Sequence, residues 1–355
     1  MNGREEGQMS RARVARRIAA AAAVGGGGIG VLGGAAIGLL LAEARLAMRA
    51  IGITEGRAPN ADGLYGAGFA ERERSAALEA VPPGAAGTLT LAVLGDSTAA
   101  GLGVAEPGRT PGALLAGGLA ALAERPVRLV NVALSGARST DLPRQTPLAL
   151  AERPDAAVVI IGANDITHRV KPAESVRLLT DAVRALREAG AEVVVCTCPD
   201  LGTVRPVKQP LRYLARRASR QLAAAQTIAV VENGGRTVSL GDLLGPEFAA
   251  RPSEMFGPDR FHPSAEGYLT AAMAVLPTLG ACLSLWPEEE AAVEVLEPAR
   301  GEALLPVAEA AAEAVETAGT EVAGTPRSHW AQLKRRRLRQ LFTARGAPAS
   351  LAEAE

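Results

Sequence analysis

The chain has 355 residues, of which 48% are hydrophobic and only 3% aromatic, so its core must be built mainly from aliphatic side chains. The formal net charge is zero, with 38 basic and 38 acidic residues, and this balance gives no indication of a nucleic-acid partner. Three cysteines without framework spacing argue against a disulfide scaffold or a zinc site, and Cys196 and Cys198 fit one face of a buried strand.

An uncharged stretch of 24 residues, 18–41, follows a basic N-terminus, residues 1–17, that contains five arginines. This length is sufficient for a helix across a bilayer. Only three arginines follow within the next twenty residues, so the charge distribution predicts a membrane anchor with the rest of the chain outside the cytoplasm. Two alternatives stay open: a cleaved signal peptide, since Ala42-Glu43-Ala44 resembles a cleavage site, and a soluble, cytoplasmic segment.

Residues 42–87 are predicted to be a linker, because Gly, Ala, Pro and charged residues alternate there without a sustained period. A different pattern covers residues 88–283, where helical periodicity separates short apolar runs typical of strands buried on both faces. The predicted strands are 88–95, 127–134, 155–163, 191–198 and 227–233, and the predicted helices include 112–124, 173–189, 211–225 and 264–283. This alternation predicts a three-layer α/β/α sandwich around a five-stranded parallel sheet.

The C-terminal residues, 284–355, segregate their charges. The part from Glu288 to Glu321 is rich in glutamate, and the part from Arg327 to Arg345 is basic and contains no acid. Such a composition predicts a flexible, solvated tail, and we expect no nucleic-acid partner for it.

Three strand ends carry residues suited to acyl-transfer chemistry, because ligands of open α/β sheets bind outside the carboxyl ends of the strands. Ser97 places a hydroxyl at a strand-to-helix turn, Gly136 offers an accessible backbone N–H, and Asn164 can donate a directed hydrogen bond. Each of them alone also fits an ordinary structural role, as a helix-capping serine, a turn glycine and a loop-capping asparagine.

A general base for Ser97 has few candidates, because the chain contains only three histidines. His262 lies three residues after Asp259, in the stretch DRFHPSAEGY that precedes a predicted helix. An acid on the same turn can accept a hydrogen bond from one ring nitrogen and leave the other free for the serine proton. Together with the strand-end residues, this pair completes the set of groups that acyl transfer needs.

Four blocks in this order resemble the SGNH subgroup of the GDSL-type esterases and lipases: Gly95-Asp96-Ser97, Gly136, Gly162-Ala163-Asn164-Asp165, and Asp259 with His262. The resemblance covers roughly residues 88–283. Thr98 departs from the leucine of the family name, at a position that varies within the family. The resemblance implies a flavodoxin-like SGNH hydrolase fold that requires neither a metal nor a cofactor.

The resemblance also implies the role of each residue. Ser97 would attack the substrate carbonyl, His262 would accept and return the proton, and Asp259 would hold the imidazole. The backbone N–H groups of Ser97 and Gly136 and the side chain of Asn164 would bind the oxyanion. Asp96 and Asp165 would support these loops.

The expected function is therefore hydrolysis of an acyl ester, such as a lipid or an acylated glycan, through an acyl-enzyme on Ser97. Two alternatives remain: an acyltransferase on the same fold, and a non-catalytic protein tethered to the membrane through residues 18–41 whose charged tail is the working part.

Overall fold

The computed structural model describes residues 43, 46, 57–66 and 81–285. These residues form one sheet of six strands, which are β1 (Gly63–Tyr65), β2 (Leu89–Gly95), β3 (Val127–Asn131), β4 (Ala156–Ile160), β5 (Glu192–Cys196) and β6 (Arg236–Val238). The strand order is β1-β3-β2-β4-β5-β6, in which β1 is antiparallel to β3 and all other neighbours are parallel.

Helices cover both faces of this sheet, which gives the three-layer arrangement expected from the sequence. They are α1 (Ser97–Ala100), α2 (Pro111–Ala123), α3 (Leu142–Ala151), α4 (Ala163–Thr167), α5 (Pro172–Glu188), α6 (Leu211–Glu232), α7 (Leu240–Ala250), α8 (Pro252–Met255) and α9 (Ala265–Cys282). Leu91 and Val93 of β2 belong to the core formed with α2, α7 and α9, whereas Ala92 and Leu94 belong to the core formed with α3, α5 and α6. Alternate residues of one strand therefore bury opposite faces, as a central parallel strand requires.

The prediction of a sheet with five parallel strands was wrong in two respects. Residues 227–233 are not a strand: α6 continues through Glu232, because buried Val230 lies on the same helix face as the apolar residues before it and neither Gly nor Pro occurs between Leu211 and Asn233. The last parallel strand is β6, and β1 adds an antiparallel sixth strand at the edge.

β1 lies within the range that the sequence predicted to be a linker, 42–87. Three residues are too short a segment to show a two-residue period. Asp62 fixes the strand beside β3, since its Oδ1 accepts a hydrogen bond from the backbone N–H of Asn131 at 2.8 Å. The five parallel strands, numbered in chain order, have the spatial order 2-1-3-4-5, which is that of flavodoxin-like folds.

Three helices agree with their predicted ranges to within one residue at each end, namely α2, α5 and α9. The predicted anchor, residues 18–41, and nearly all of the predicted tail, 284–355, lie outside the described residues. Within the described ranges, no helix combines the length and the hydrophobicity needed to span a bilayer. Glu43 is described, and its Oε2 accepts a hydrogen bond from the backbone N–H of Leu211 at 3.2 Å.

Candidate active site

The turn after β2 places Ser97 at the carboxyl edge of the sheet. Gly95 ends the strand with a φ of +136°, and a Cβ at this position would lie 1.9 Å from the carbonyl oxygen of Ile160 on β4. Only glycine therefore permits this close approach of β2 and β4. Asp96 follows, donates its N–H to the Ile160 carbonyl at 3.1 Å and caps α1, whose first residue is Ser97.

Three side chains that the sequence singled out form a continuous chain of hydrogen bonds. Ser97 Oγ lies 2.9 Å from Nε2 of His262, and Nδ1 of His262 lies 2.5 Å from Oδ2 of Asp259. Asp259 is buried and accepts through Oδ1 from the backbone N–H of His262 at 3.0 Å. With the Nδ1 proton donated to Asp259, Nε2 is left as the acceptor for the serine proton.

The loop that carries His262 is fixed to the serine turn by two contacts that sequence reasoning missed. Tyr268 on α9 is buried, and its hydroxyl donates to the backbone carbonyl of Leu102 at 2.6 Å. Gly103 has a φ of +108°, and a Cβ there would lie 2.7 Å from the carbonyl oxygen of Pro263. Gly103 and Tyr268 therefore hold the imidazole close to the hydroxyl. Neither residue belongs to a pattern that could be recognised in a single sequence.

The three predicted oxyanion donors follow β2, β3 and β4 at the carboxyl edge of the sheet, and of these Ser97 and Asn164, but not Gly136, line one pocket. Ser97 is the first residue of α1, so its N–H has no acceptor within the helix. Gly136 is exposed with a φ of +80°. Asn164 lines the same pocket as Ser97, and its Nδ2 donates to the carbonyl oxygen of Ala137 at 3.0 Å. One of the two Nδ2 hydrogens therefore holds the loop that contains Gly136, and the second is left for a ligand.

Asp165 connects the loops around the site through hydrogen bonds to Ser139 and Ser175. It is buried and accepts from the backbone N–H of Ser139 at 2.9 Å and from the hydroxyls of Ser139 and Ser175 at 2.5 and 2.8 Å. These bonds join the start of α5 and the loop after β3 to the Asn164 segment. The loop that contains Gly136 is consequently fixed through both Asn164 and its neighbour.

Asp96 is the second supporting acid, and its environment is unusual for a carboxylate. Burial raises the pKa of Asp96 from 3.8 to about 7, although the backbone N–H groups of Thr98 and Ala99 lower it, and the negative charge of Asp165 raises it further. The side chain nevertheless caps α1, because Oδ1 accepts from the N–H of Thr98 at 2.9 Å.

Two buried glutamines, which sequence reasoning also missed, hold the strand ends in place. Gln145 on α3 bonds both backbone groups of Gly95: its Oε1 accepts from the N–H at 2.8 Å, and its Nε2 donates to the carbonyl at 2.9 Å. Gln226 on α6 accepts from the N–H of Cys198 at 2.8 Å and donates to the carbonyl of Ile161 at 3.1 Å. A polar residue on the apolar face of a helix is the signal that could have revealed them.

A largely apolar pocket opens beside Ser97 and contains about 1040 Å³ of empty space, including its mouth. Its polar end includes Ser97 and Asn164, and other parts of its wall are fully buried residues of the core, such as Cys196 and Val275. Apolar and aromatic side chains elsewhere in the wall include Leu201, Leu244, Phe248, Phe256, Phe261 and Ala272. Such a pocket can hold an apolar acyl chain with the ester carbonyl carbon next to the Ser97 hydroxyl.

The described part of the chain contains no group of three or more histidine, cysteine, aspartate or glutamate side chains arranged to hold a metal ion. Cys196 and Cys198 are buried as free thiols, and burial raises the pKa of Cys196 to about 12. Cys196 is the last residue of β5, whereas Cys198 lies two residues beyond the strand, so the prediction of two buried residues is confirmed but their placement on one strand is not.

Comparison with known proteins gives consistent matches. Residues 93–269 match the GDSL-like lipase/acylhydrolase family. The chain is 43% identical over 259 residues to the GDSL-like esterase Rv1075c of Mycobacterium tuberculosis, a match that covers 72% of this chain and 79% of the relative.

Solved structures with a similar course of the chain include TesA, with 27% identity and a TM-score of 0.43 over 54% of this chain and 99% of TesA. Another is LAE5, an α/β hydrolase from the metagenome of Lake Arreo in Spain, with 20% identity and a TM-score of 0.45 over 56% of this chain and 96% of LAE5. From the two sequence matches, the chain belongs to the GDSL-like lipase/acylhydrolase family and is a carboxylic ester hydrolase.

Proposed function

We propose that this protein hydrolyses acyl esters through a covalent acyl-enzyme on Ser97. The observation that carries the proposal is the hydrogen-bond chain from Ser97 through His262 to Asp259 at the polar end of an apolar pocket. Nε2 of His262 accepts the hydroxyl proton as Oγ attacks the carbonyl carbon. Asp259 stabilises the resulting imidazolium, and its burial strengthens that interaction.

The attack moves negative charge onto the carbonyl oxygen. The N–H groups of Ser97 and Gly136 and the free Nδ2 hydrogen of Asn164 are the donors that would stabilise this charge. The C–O bond to the alcohol then breaks, and the alcohol leaves with the proton held by His262. A water molecule, deprotonated by His262, attacks the acyl-enzyme, and the carboxylic acid and the serine hydroxyl are released.

We also propose that the catalytic domain acts outside the cytoplasm, tethered by residues 18–41. The charge distribution around this stretch supports the proposal, as does the contact of Glu43 with Leu211 at the start of α6. Two nearby side chains on α6, Tyr213 and Leu214, expose 58% and 43% of their surface, as a domain beside a lipid surface would. A reporter enzyme fused to the C-terminus and active only outside the membrane tests this orientation, which cytoplasmic reporter activity would contradict.

The reaction is tested with the full chain and p-nitrophenyl esters of graded acyl length. Wild type is compared with Ser97→Ala, His262→Ala and a surface control, Ser253→Ala, which changes the same group at an exposed position. We expect hydrolysis and labelling by a fluorophosphonate probe in wild type and the control, and neither in the other two variants. Equal hydrolysis rates in wild type and Ser97→Ala would refute the proposal. Adding an alcohol acceptor distinguishes hydrolysis from acyl transfer, because transfer yields a new ester in place of free acid.

A further inference from the structure

A second pocket, with about 670 Å³ of empty space including its mouth, lies next to the apolar one. Thr203 lines both pockets, Leu201 lines only the apolar one and Gly202 only the second. The short turn Leu201–Thr203 therefore separates the two spaces. A ligand that reaches past this turn can occupy both.

Three arginines line the second pocket: Arg205, Arg212 and Arg216. No acidic side chain is part of its lining within the described ranges. Arg216 pairs through Nε with Oδ2 of Asp200 at 3.1 Å, so its charge is partly compensated. The pocket thus has an excess of about two positive charges.

Among the described residues, the hydrogen-bond partners of the other two guanidinium groups are backbone carbonyls. Arg205 donates from one terminal nitrogen to the carbonyl of Ala249 at 2.7 Å, and Arg212 donates from Nε to the carbonyl of Val207 at 2.8 Å. A guanidinium group has five N–H donors, so each of these two retains at least three for a ligand. The backbone contacts fix their orientation without neutralising their charge, an arrangement suited to binding an anion.

Gly202 in the turn Leu201–Thr203 allows Arg216 to pack beside the second pocket. A Cβ at Gly202 would lie 2.7 Å from the Cβ of Arg216, so the absence of a side chain in the turn lets the arginine stem pack directly on it. Tyr213 lies at the rim, 58% exposed, and supplies a further hydroxyl donor. Side chains from α6 and from the preceding loop thus surround one space beside the ester site.

We propose that this arginine pocket binds the phosphate group of the substrate, an acyl ester whose alcohol carries a phosphate and whose acyl chain occupies the apolar pocket. A phosphate ester carries up to two negative charges near neutral pH and presents three acceptor oxygens, which match the excess charge and the multiple donors. The inference rests on the proposed ester hydrolysis at Ser97 and names the class of its substrate. Free inorganic phosphate offers the arginines the same charge and acceptor oxygens, so the experiment below distinguishes binding of the free ion from binding of the phosphate-bearing ester.

The test compares two substrates of the full chain at pH 7.5, 1-octanoylglycerol 3-phosphate and 1-octanoylglycerol, with released octanoate as the readout. The measured quantity is the ratio of kcat/KM on the phosphate substrate to kcat/KM on the neutral one. We expect wild type to favour the phosphate substrate, and Arg205→Gln and Arg212→Gln each to lower the ratio about tenfold through KM, since each removes charge-assisted hydrogen bonds. Arg217→Gln is the matched control, an exposed arginine of α6 outside the pocket, and should leave the ratio unchanged.

A ratio near one in wild type, or equal losses in Arg212→Gln and Arg217→Gln, would overturn the inference. Calorimetric titration of Ser97→Ala with each octanoyl compound and with inorganic phosphate gives a readout independent of catalysis. Tight binding of inorganic phosphate without preference for the phosphate-bearing lipid would assign the pocket to the free ion and also overturn it. If neither substrate is hydrolysed but the phosphate compound binds through Arg212, the proposed function fails and the anion site stands.

Discussion

The buried carboxyl group of Asp96 makes the stability of this protein depend on pH in a way that one substitution should remove. The pKa of Asp96 is raised to about 7 in the folded state, whereas the ordinary value is 3.8. Between these values the folded protein binds more protons than the unfolded chain, so the free energy of unfolding falls as pH rises. The full shift corresponds to about 4 kcal/mol, since one pKa unit is worth about 1.4 kcal/mol.

Asn at position 96 cannot ionise, yet its side-chain oxygen can still accept from the N–H of Thr98 and cap α1. We therefore expect the difference in the free energy of unfolding, Asp96→Asn minus wild type, to increase by about 2.5 kcal/mol from pH 5 to pH 8. Urea unfolding at several pH values measures this difference, and groups that titrate alike in both proteins cancel. The control is Asp181→Asn, which removes an exposed carboxylate that pairs with Arg177. Parallel stability curves for wild type and Asp96→Asn would show that the buried group does not titrate in this range.

Three further results are expected. Asn164→Ala should lower kcat by roughly 10²- to 10³-fold while thermal unfolding stays close to that of wild type, and a loss below about threefold would exclude Asn164 as an oxyanion donor. Gln145→Ala should lower the free energy of unfolding by about 2–4 kcal/mol, because it removes the side-chain partners of both backbone groups of Gly95. Chemical denaturation measures this free energy, and a loss below about 1 kcal/mol would contradict the prediction. Gly245→Leu should reduce kcat/KM for octanoyl esters more than for acetyl esters, because the new side chain would fill part of the apolar pocket, where the atom nearest to an added Cβ is 4.0 Å away. The control is Gly117→Leu, at a position outside the pocket.

The parts of the fold that the sequence predicted well are those with a simple physical signature. Strands β2, β4 and β5 are buried on both faces over most of their length, so they are nearly continuous apolar runs in the sequence, and long helices such as α5 show a clear helical period. The site residues were accessible to prediction for a related reason: parallel strands end at one edge, so polar residues after successive strands meet there. The meeting of Ser97 with His262 depended instead on the four-block resemblance, because no local pattern relates positions 165 apart.

The rest of the structure depends on contacts that have no local pattern. Residues 227–231 are apolar or β-branched, as in a strand, but tertiary packing of Val230 keeps them helical. The support of Gly95 by Gln145 joins positions fifty residues apart. The arginine pocket was also invisible, because Arg205, Arg212 and Arg216 resemble any solvated set of charges until the fold gathers them around one space.

The direct contact between Tyr268 and Leu102 has a consequence for how the protein becomes active during synthesis. The serine turn is built from an early strand, whereas the imidazole and the helix that anchors it come near the end of the described domain. All six strands therefore precede the proposed base along the chain. Under the proposed mechanism, Ser97 becomes a nucleophile only after the segment from Asp259 through α9 has been synthesised and has packed on the serine turn, so a chain that ends before this segment should show no esterase activity.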